Sequence, residues 1–505
     1  MSMRDKQQQT KFNFYTNIVA LVANVLVGVY YTPYLLNSLG LAAYGILPLA
    51  LIINQYISVA TQTLTHAYTR FYSVALQKGD YEEASRDIST SLVVVLLLCV
   101  LIVPIGFIIV CKADSLFQIP SVLLKSAQYL FGYTILSFII SLLSSLLNVT
   151  LYAINRLDLM NVLKIIRTVF KLIVVVIFFE TIRVDVSFVG LTNLITEGII
   201  LILSILLFFK YKPHEVHISL TLFTKSILYA IMGMSVWVLI QLCGDTLLYR
   251  TDNLIINHYW GIEASGALGA ISEIGNYVTV VVSVIGSLFG PLILMAYAKG
   301  EHSEVKSLFV QQSTIVGCLS AILTGIIAGF GACLLDIWLG NGMGQYSSWL
   351  LMKMIVLPFY AAGGIMAFVY RSWNRMIFPA IGTIALGIVD VLTLIILCEM
   401  DSINTMSVLI ISAFFSILQC FILNAVAVGK IYPDCRKAFS IIFTKIIVTF
   451  MVCYIAGRIV TSFLSIVSLL QLGGILLLVG LIMLFVVLLF VFSKKERLEL
   501  LKIIH

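Results

Sequence analysis

Long apolar stretches follow one another along the whole chain, and short polar segments separate them. As an α-helix, a stretch of roughly 18 residues or more can cross a hydrocarbon core of about 30 Å. The alternating pattern of a membrane β-barrel, with about ten residues per strand, is not seen. The pattern predicts fourteen transmembrane helices, at about 13–38, 44–67, 88–111, 127–150, 160–180, 188–209, 226–249, 266–296, 312–335, 347–370, 377–398, 404–428, 440–462 and 469–493.

The composition indicates the same class of protein. The 505 residues are 61% hydrophobic and 11% charged, whereas a soluble domain is about 25% charged. We therefore expect an all-α polytopic membrane protein. The nine cysteines are scattered singly, without a Cys-x-x-Cys pair, so neither a metal site nor a disulfide framework is expected. The first apolar segment ends without a small-residue cleavage site, so no cleavable signal peptide is expected.

Positive charge is distributed unevenly over the connecting segments. If both termini are cytoplasmic, most Lys and Arg residues fall at cytoplasmic helix ends, as the positive-inside rule requires. The anionic inner leaflet then accounts for the net charge of +7, and nucleic-acid binding is not expected. The few basic residues on the external side are Lys112, Lys125, Arg183, Arg250, Lys353 and Arg458.

A short motif occurs twice. LGLAAYG at 39–45 and WGIEASG at 260–266 lie between apolar runs at an offset of 221, and Asn155-Arg156 matches Asn374-Arg375 at an offset of 219. Helices 1–6 therefore correspond to helices 7–12 as a parallel repeat, and such transporters hold the substrate between two halves that rock around it. We expect two pseudo-two-fold related six-helix lobes plus an appended helix pair. The predicted boundaries are 1–215, 216–432 and 433–505.

Polar residues recur at helical spacing inside predicted helices 1, 2, 7 and 8. The stripes correspond under the repeat, as Asn24 does with Asp245. We expect them to line a hydrophilic cleft between the halves, with hydrogen bonding between packed helices as the alternative. The cleft-lining candidates are Asn24, Tyr31, Asn54, Ser58, Gln62, Gln241, Asn276, Thr279 and Ser283.

Several ionisable residues lie far from the ends of their predicted helices, where each costs about 2.5–3.5 kcal/mol to insert at mid-bilayer. At an offset of 219, Lys171 of helix 5 falls on Asp390 of helix 11. The acids predict coupling to a proton or sodium gradient, although each could instead form a structural intramembrane pair. The candidates for ion coupling are Asp245, Glu273, Asp390 and Glu197. No other cofactor is expected.

Four basic residues are candidates for binding an anionic head group. Arg167 and Lys171 lie one turn apart inside helix 5. Arg70 and Arg371 lie at cytoplasmic helix ends, where they either surround the mouth of the cleft or only mark the topology.

TPYLLNSLGLAAYG at 32–45, RFYSVALQKGD at 70–80, Asn155-Arg156 and the fourteen helices together resemble the bacterial polysaccharide repeat-unit flippases. These are the O-antigen and capsule exporters of the Wzx type, in the multidrug/oligosaccharidyl-lipid/polysaccharide exporter (MOP) superfamily. The resemblance implies a V-shaped pair of six-helix lobes. It also implies a non-enzymatic transporter that moves undecaprenyl-pyrophosphate-linked oligosaccharides from the inner to the outer leaflet of the bacterial cytoplasmic membrane. Membrane lipids and downstream polymerase or export proteins are the implied partners.

Three other functions remain open. A lipid II-type flippase has fourteen helices as well. A multidrug or small-solute antiporter of the same superfamily is disfavoured, because that branch typically has twelve helices. A glycan polymerase or ligase is disfavoured because no external loop is long enough for an extramembrane catalytic domain.

Overall fold

The computed structural model describes residues 3–340, 342–373, 375–400, 402–494 and 496–497. Within these ranges it describes the side chains apart from those of residues 3–7, 10, 60–67, 230–235, 284–285 and 287–291.

Each of the fourteen predicted helices has a counterpart in the structure, and the described residues form no strand. Helices α7 and α8 are the two limbs, 225–260 and 262–298, of the segment Lys225–Ala298, which bends at Gly261. The other long helices are α1 (Met3–Tyr44), α2 (Ile46–Lys78), α3 (Tyr81–Cys111), α4 (Ser121–Ala153), α5 (Leu157–Thr181), α6 (Val186–Tyr211), α9 (His302–Gly329), α10 (Ser347–Ser372), α11 (Ile377–Glu399), α12 (Thr405–Gly429), α13 (Arg436–Phe463) and α14 (Leu469–Phe490). Shorter helical segments, among them Ala113–Leu116 and Gly331–Leu339, lie between them.

Ten helices within the described ranges are long and apolar enough to cross a membrane. Helix α5 is not one of them, since every stretch of 18 residues within it contains Lys164, Arg167 and Lys171. Two of these three basic residues, Arg167 and Lys171, are the ones that suggested a binding site.

The helix ends differ from the predicted ones because capping residues, and not the edge of the apolar stretch, determine where a helix stops. Helix α3 begins at Tyr81, seven residues before the predicted start at 88, because Asp80 accepts a hydrogen bond from the Glu83 backbone N–H at 2.8 Å. Helix α2 continues to Lys78, where Gly79 ends it in the left-handed conformation with φ 76°.

The local geometry of the repeat is the same in both copies. Gly40 and Gly261 both have positive φ, 76° and 85°, in a region that L side chains rarely adopt. The helix ends match as well. The Asp80 N–H donates to the Ala75 carbonyl at 3.0 Å, and at an offset of 221 the Glu301 N–H donates to the Ala296 carbonyl at 3.1 Å.

The second pair of motifs also has matching hydrogen bonds. The Arg156 N–H donates to the Leu151 carbonyl at 2.8 Å, and at an offset of 219 the Arg375 N–H donates to the Tyr370 carbonyl at 2.9 Å. Asn155 has φ 60°, which asparagine tolerates better than most residues. Asn374 lies outside the described residues. The repeat read from the sequence therefore has a counterpart in backbone geometry at three separate helix ends.

The chain forms two compact units. Unit 1 contains the described residues of Met1–Cys243 and Trp260–Gly266, and unit 2 contains those of Gly244–Tyr259 and Ala267–His505. Lobe boundaries at 1–215, 216–432 and 433–505 stay a prediction.

The two repeated motifs contact each other inside unit 1. A Cβ atom added to Gly45 would lie 2.2 Å from the Ile262 carbonyl oxygen, and one added to Gly266 would lie 2.6 Å from the Leu41 carbonyl oxygen. Ile262 is the repeat counterpart of Leu41, and Gly266 is that of Gly45, so the contact is reciprocal. No Cβ atom fits at Gly45 or Gly266, so these glycines allow the two motifs to pack closely.

Candidate functional site

Unit 1 brings together four of the predicted site residues. The Arg167 Nε atom of α5 lies 2.7 Å from Glu197 Oε1 of α6, and Arg167 Nη2 donates to Glu197 Oε2 at 2.9 Å. The Lys171 Nζ atom, one turn further along α5, lies 5.0 Å from the centroid of the Tyr31 ring of α1. Lys171 also interacts electrostatically with Glu197. We call Tyr31, Arg167, Lys171 and Glu197 the cationic cluster, because its ionised side chains carry one net positive charge.

A polar network holds the N-terminal end of α1 against the start of α5. Asn13 accepts a hydrogen bond from the Asp158 backbone N–H at 2.9 Å and donates to the Asn155 carbonyl at 3.0 Å. Arg156 forms an ion pair with Asp158 at 3.0 Å. Its hydrogen bonds to Asp158 raise the pKa of Arg156 above the usual value. Asn13 and Asp158 are buried, so removing either leaves polar groups without partners.

The other candidates in unit 1 do not join the cationic cluster in any described contact. Asn24 and Arg70 are exposed, and Gln241 is half-buried. Asn54 Oδ1 is buried and has no hydrogen-bond partner among the described atoms, and Ser58 donates to the Gln55 carbonyl at 2.8 Å. The Gln62 side chain lies outside the described residues. The cleft-lining role of these residues stays a prediction.

Unit 2 contains a hydrogen-bonded network around Asp245 of α7. Gln419 of α12 donates from Nε2 to Asp245 Oδ1 at 3.2 Å and to Thr383 Oγ1 at 3.1 Å. The Tyr249 hydroxyl donates to Gln419 Oε1 at 2.9 Å. Asp245 also interacts electrostatically with Arg371, which is exposed near the end of α10. The position of Gln419 between Asp245 and Thr383 was not anticipated, although a glutamine in an otherwise apolar helix was a visible signal.

Gln419 lies in the π-helical segment Leu418–Leu423 within α12. Such segments interrupt α-helices rarely and are frequent at functional sites. Apart from Gln419, the residues of this segment are as apolar as the helix around them, so the hydropathy pattern does not reveal it.

A second cluster in unit 2 lies around Lys353 of α10. Lys353 Nζ donates to Asp252 Oδ2 of α7, and the Asp252 side chain is 3% exposed. Asp390 of α11 interacts electrostatically with both residues and is 1% exposed. Asp390 Oδ1 has no hydrogen-bond partner among the described atoms. The charge pattern had counted Lys353 only as an external basic residue, whereas the structure pairs it with a buried carboxylate.

Arg250 extends this second cluster. Its Nη2 atom donates to Asn276 Oδ1 at 3.4 Å, and it interacts electrostatically with Asp252 and Glu273. Arg250 therefore links two predicted site residues, Asn276 and Glu273, to this cluster. The sequence had indicated Arg250 only as a basic residue on the external side.

Thr279 and Ser283 bond within their own helix. The Thr279 hydroxyl donates to the Gly275 carbonyl at 2.7 Å, and the Ser283 hydroxyl donates to the Thr279 carbonyl at 2.7 Å. These hydroxyl protons therefore do not link α8 to another helix. Within the described part of the chain, no three His, Cys, Asp or Glu side chains are grouped as metal-ion ligands would be.

The chain is similar in sequence to one curated bacterial protein. It is 24% identical over 438 residues to the "Uncharacterized membrane protein EpsK" of Bacillus subtilis (strain 168), which covers 83% of each chain. No protein-family model matches the sequence.

Solved structures settle the fold. The lipid II flippase MurJ in an inward closed conformation superposes with a TM-score of 0.69 at 13% identity, covering 95% of this chain and 97% of MurJ. This chain has the MATE and MurJ fold. An inward-facing multidrug resistance MATE family transporter of the MOP superfamily superposes with a TM-score of 0.67 at 13% identity, covering 81% of this chain and 98% of the transporter.

The chain is therefore a multi-pass membrane protein with the fold of known transporters and flippases. The two solved structures are a transporter and a flippase, not enzymes. Lys171 and Asp390 lie at repeat-related positions, at an offset of 219. Unit 1 therefore places a cation where unit 2 places an anion.

Proposed function

We propose that the chain flips undecaprenyl-pyrophosphate-linked oligosaccharide repeat units from the inner to the outer leaflet of the cytoplasmic membrane by alternating access, for polysaccharide export. The cationic cluster carries this proposal, since Arg167 and Lys171 lie near the middle of α5, among mostly apolar residues. A pyrophosphate needs cationic hydrogen-bond donors to leave water, and a guanidinium can bind phosphate oxygens in pairs. The polyprenyl tail needs only lipid.

Two other substrates fit parts of the same structure. Lipid II carries the same pyrophosphate, and the likeness to MurJ supports a lipid II-type flippase as the second candidate. A multidrug or small-solute antiporter is supported by the MATE likeness, but helices α13 and α14 favour the flippases, because the drug-exporting branch typically has twelve helices. We place both termini in the cytoplasm, and downstream polymerase or export proteins are the proposed partners.

Deleting the gene is expected to trap lipid-linked repeat units in the inner leaflet. Expressing variants of the protein in the deletion strain then tests the head-group site. We expect Lys171→Met to reduce export severalfold, because it removes a cation from the cationic cluster. Lys78→Met should restore export fully, because Lys78 is exposed in the last turn of α2. The measurement is the leaflet distribution of labelled repeat units in strains with matched protein levels.

If the deletion leaves the repeat units in the outer leaflet, the proposed substrate is wrong. Accumulation of lipid II in their place would select the second candidate. Equal effects of the two lysine substitutions would refute the head-group assignment alone.

We further propose that a proton or sodium gradient drives transport through the acids of unit 2, with Asp245 as the principal residue and Glu273 and Asp390 as contributors. Asp245 is the principal candidate because its carboxylate accepts a hydrogen bond from Gln419, which lies within the π-helical segment of α12. We expect Asp245→Asn to abolish the response of export to an imposed gradient, since asparagine cannot bind a proton at pH 7. Export by Asp245→Asn that still follows the gradient would exclude this residue. Asp336→Asn is the control, since Asp336 accepts hydrogen bonds only from the nearby Gly342 and Gly344 backbone N–H groups among the described contacts.

A further inference from the structure

Glu197 occupies the part of the cationic cluster that a diphosphate would need. Both of its carboxylate oxygens contact Arg167, at 2.7 and 2.9 Å. A guanidinium presents its donors in a planar fork that fits either a carboxylate or a phosphate along one edge. The Arg167 side chain is 39% exposed and that of Glu197 is 14% exposed, so Arg167 is the more accessible of the two.

We propose that Glu197 is a built-in counter-anion that the substrate's diphosphate displaces from Arg167, and that each displacement is accompanied by the uptake of one proton on the Glu197 carboxylate. This inference rests on the proposed function, because it assumes a diphosphate ligand in unit 1. It gives Glu197, already a candidate for ion coupling, a specific role in unit 1 beside the acids of unit 2.

The charged groups around Glu197 are few. Helix α5 contributes Arg167 and Lys171, and these are the charges that act on Glu197. Helix α1 contributes Tyr31 through its contact with Lys171, and from residue 12 to residue 44 it contains no Asp, Glu, Lys, Arg or His. Helix α4, which also packs against α6, carries one charged residue, Lys125 in its second turn. Two cations and one anion therefore determine the charge at this position.

Charge balance then requires the proton. Without substrate, the two positive charges of Arg167 and Lys171 and the one negative charge of Glu197 leave a net charge of +1. A diphosphate diester adds two negative charges, so the site would carry a net negative charge if Glu197 stayed ionised. An uncompensated charge away from water is unfavourable, and two anions that share a site disfavour the ionised form of the weaker acid. When Glu197 takes a proton from the adjoining water, two cations face two phosphate charges.

The binding of diphosphate should therefore weaken as the pH rises. Where free Glu197 is ionised, uptake of one proton per ligand makes the affinity fall about tenfold for each pH unit. Loss of the carboxylate should make the affinity independent of pH. It should also raise the affinity at neutral pH by about tenfold or more, because the competing anion is gone.

The test is calorimetric titration of the full-length protein in lipid nanodiscs with symmetrical dimethyl diphosphate. This probe keeps two negative charges across the pH range used, so any proton taken up belongs to the protein. Titrations in two buffers of different ionisation enthalpy give the number of protons. We expect about one proton per ligand for the wild type, none for Glu197→Gln, and the wild-type value for Glu180→Gln, which replaces the exposed glutamate of α5.

Wild-type binding without proton uptake, or the same uptake in Glu197→Gln, would overturn the inference while leaving the head-group site intact. Absence of diphosphate binding to the wild type would overturn both. Because the wild-type proton count needs no variant, the result does not depend on whether Glu197→Gln folds. The proposed flipping activity is judged separately, by the leaflet distribution of repeat units in the deletion strain.

Discussion

Replacing Lys353 with methionine is expected to destabilise unit 2 by about 3–5 kcal/mol, because it removes the cation that is hydrogen-bonded to the buried Asp252 carboxylate. The Asp252 side chain is 3% exposed and that of Lys353 is 22% exposed. Asp390, 1% exposed, loses the same neighbouring cation. We expect a large fall in melting temperature, measured by fluorescence-detected size-exclusion chromatography after heating, together with loss of export.

The double variant Asp252→Asn/Lys353→Met should recover most of that stability, because it removes both charges of the pair together. Lys306→Met is the matched control. Lys306 also pairs with an aspartate of unit 2, at 3.1 Å from Asp434, but both side chains are exposed, at 36% and 83%. Exposed pairs contribute little. If Lys353→Met is as stable as Lys306→Met, the Asp252–Lys353 pair does not contribute to the stability of unit 2.

The second large effect is expected at Gly363 of α10, where alanine should lower the unfolding free energy by about 3 kcal/mol or more. A Cβ atom at this position would lie 1.7 Å from the Cys420 carbonyl oxygen of α12. The obstacle is backbone, so a helix must move. Gln419 precedes Cys420, and a displaced α12 would pull Gln419 away from Asp245. We therefore expect Gly363→Ala to lower both the melting temperature and the response of export to the gradient.

The next residue provides the control for this prediction. A Cβ atom on Gly364 would have no atom within 4 Å. Gly364→Ala should leave the melting temperature unchanged or raise it slightly, because alanine favours a helix over glycine by about 1 kcal/mol. If Gly363→Ala and Gly364→Ala have the same melting temperature, α10 and α12 do not approach each other this closely in the membrane.

The sequence predicts the helices well, because the length of an apolar stretch depends on the membrane and not on neighbouring helices. The repeat is also visible in the sequence, and its glycines Gly40 and Gly261 have the same positive φ because that conformation is a local property. Helix ends are predicted less well. The polar first turn of α3 lies outside the apolar stretch, and only the Asp80 cap reveals it.

The sequence predicts which residues belong to the candidate site, but it does not predict which of them form contacts with each other. Arg167, Lys171 and Glu197 were each visible as costly charges in apolar helices. Their pairing depends on how α5 and α6 are rotated about their axes, which no local pattern specifies. Lys353 was missed for the same reason, since its role depends on the packing of α7 and α10.

The reciprocal contact of Gly45 with Ile262 and of Gly266 with Leu41 has a historical consequence. In an ancestor assembled from two identical six-helix chains, one glycine would have met its own copy across the symmetry axis, and any mutation there would have acted twice. Fusion into one gene removes that penalty, because each copy can then vary while the other is unchanged. The neighbouring positions have already diverged. Tyr44 and Ser265 are counterparts and both are buried, one bulky and one small.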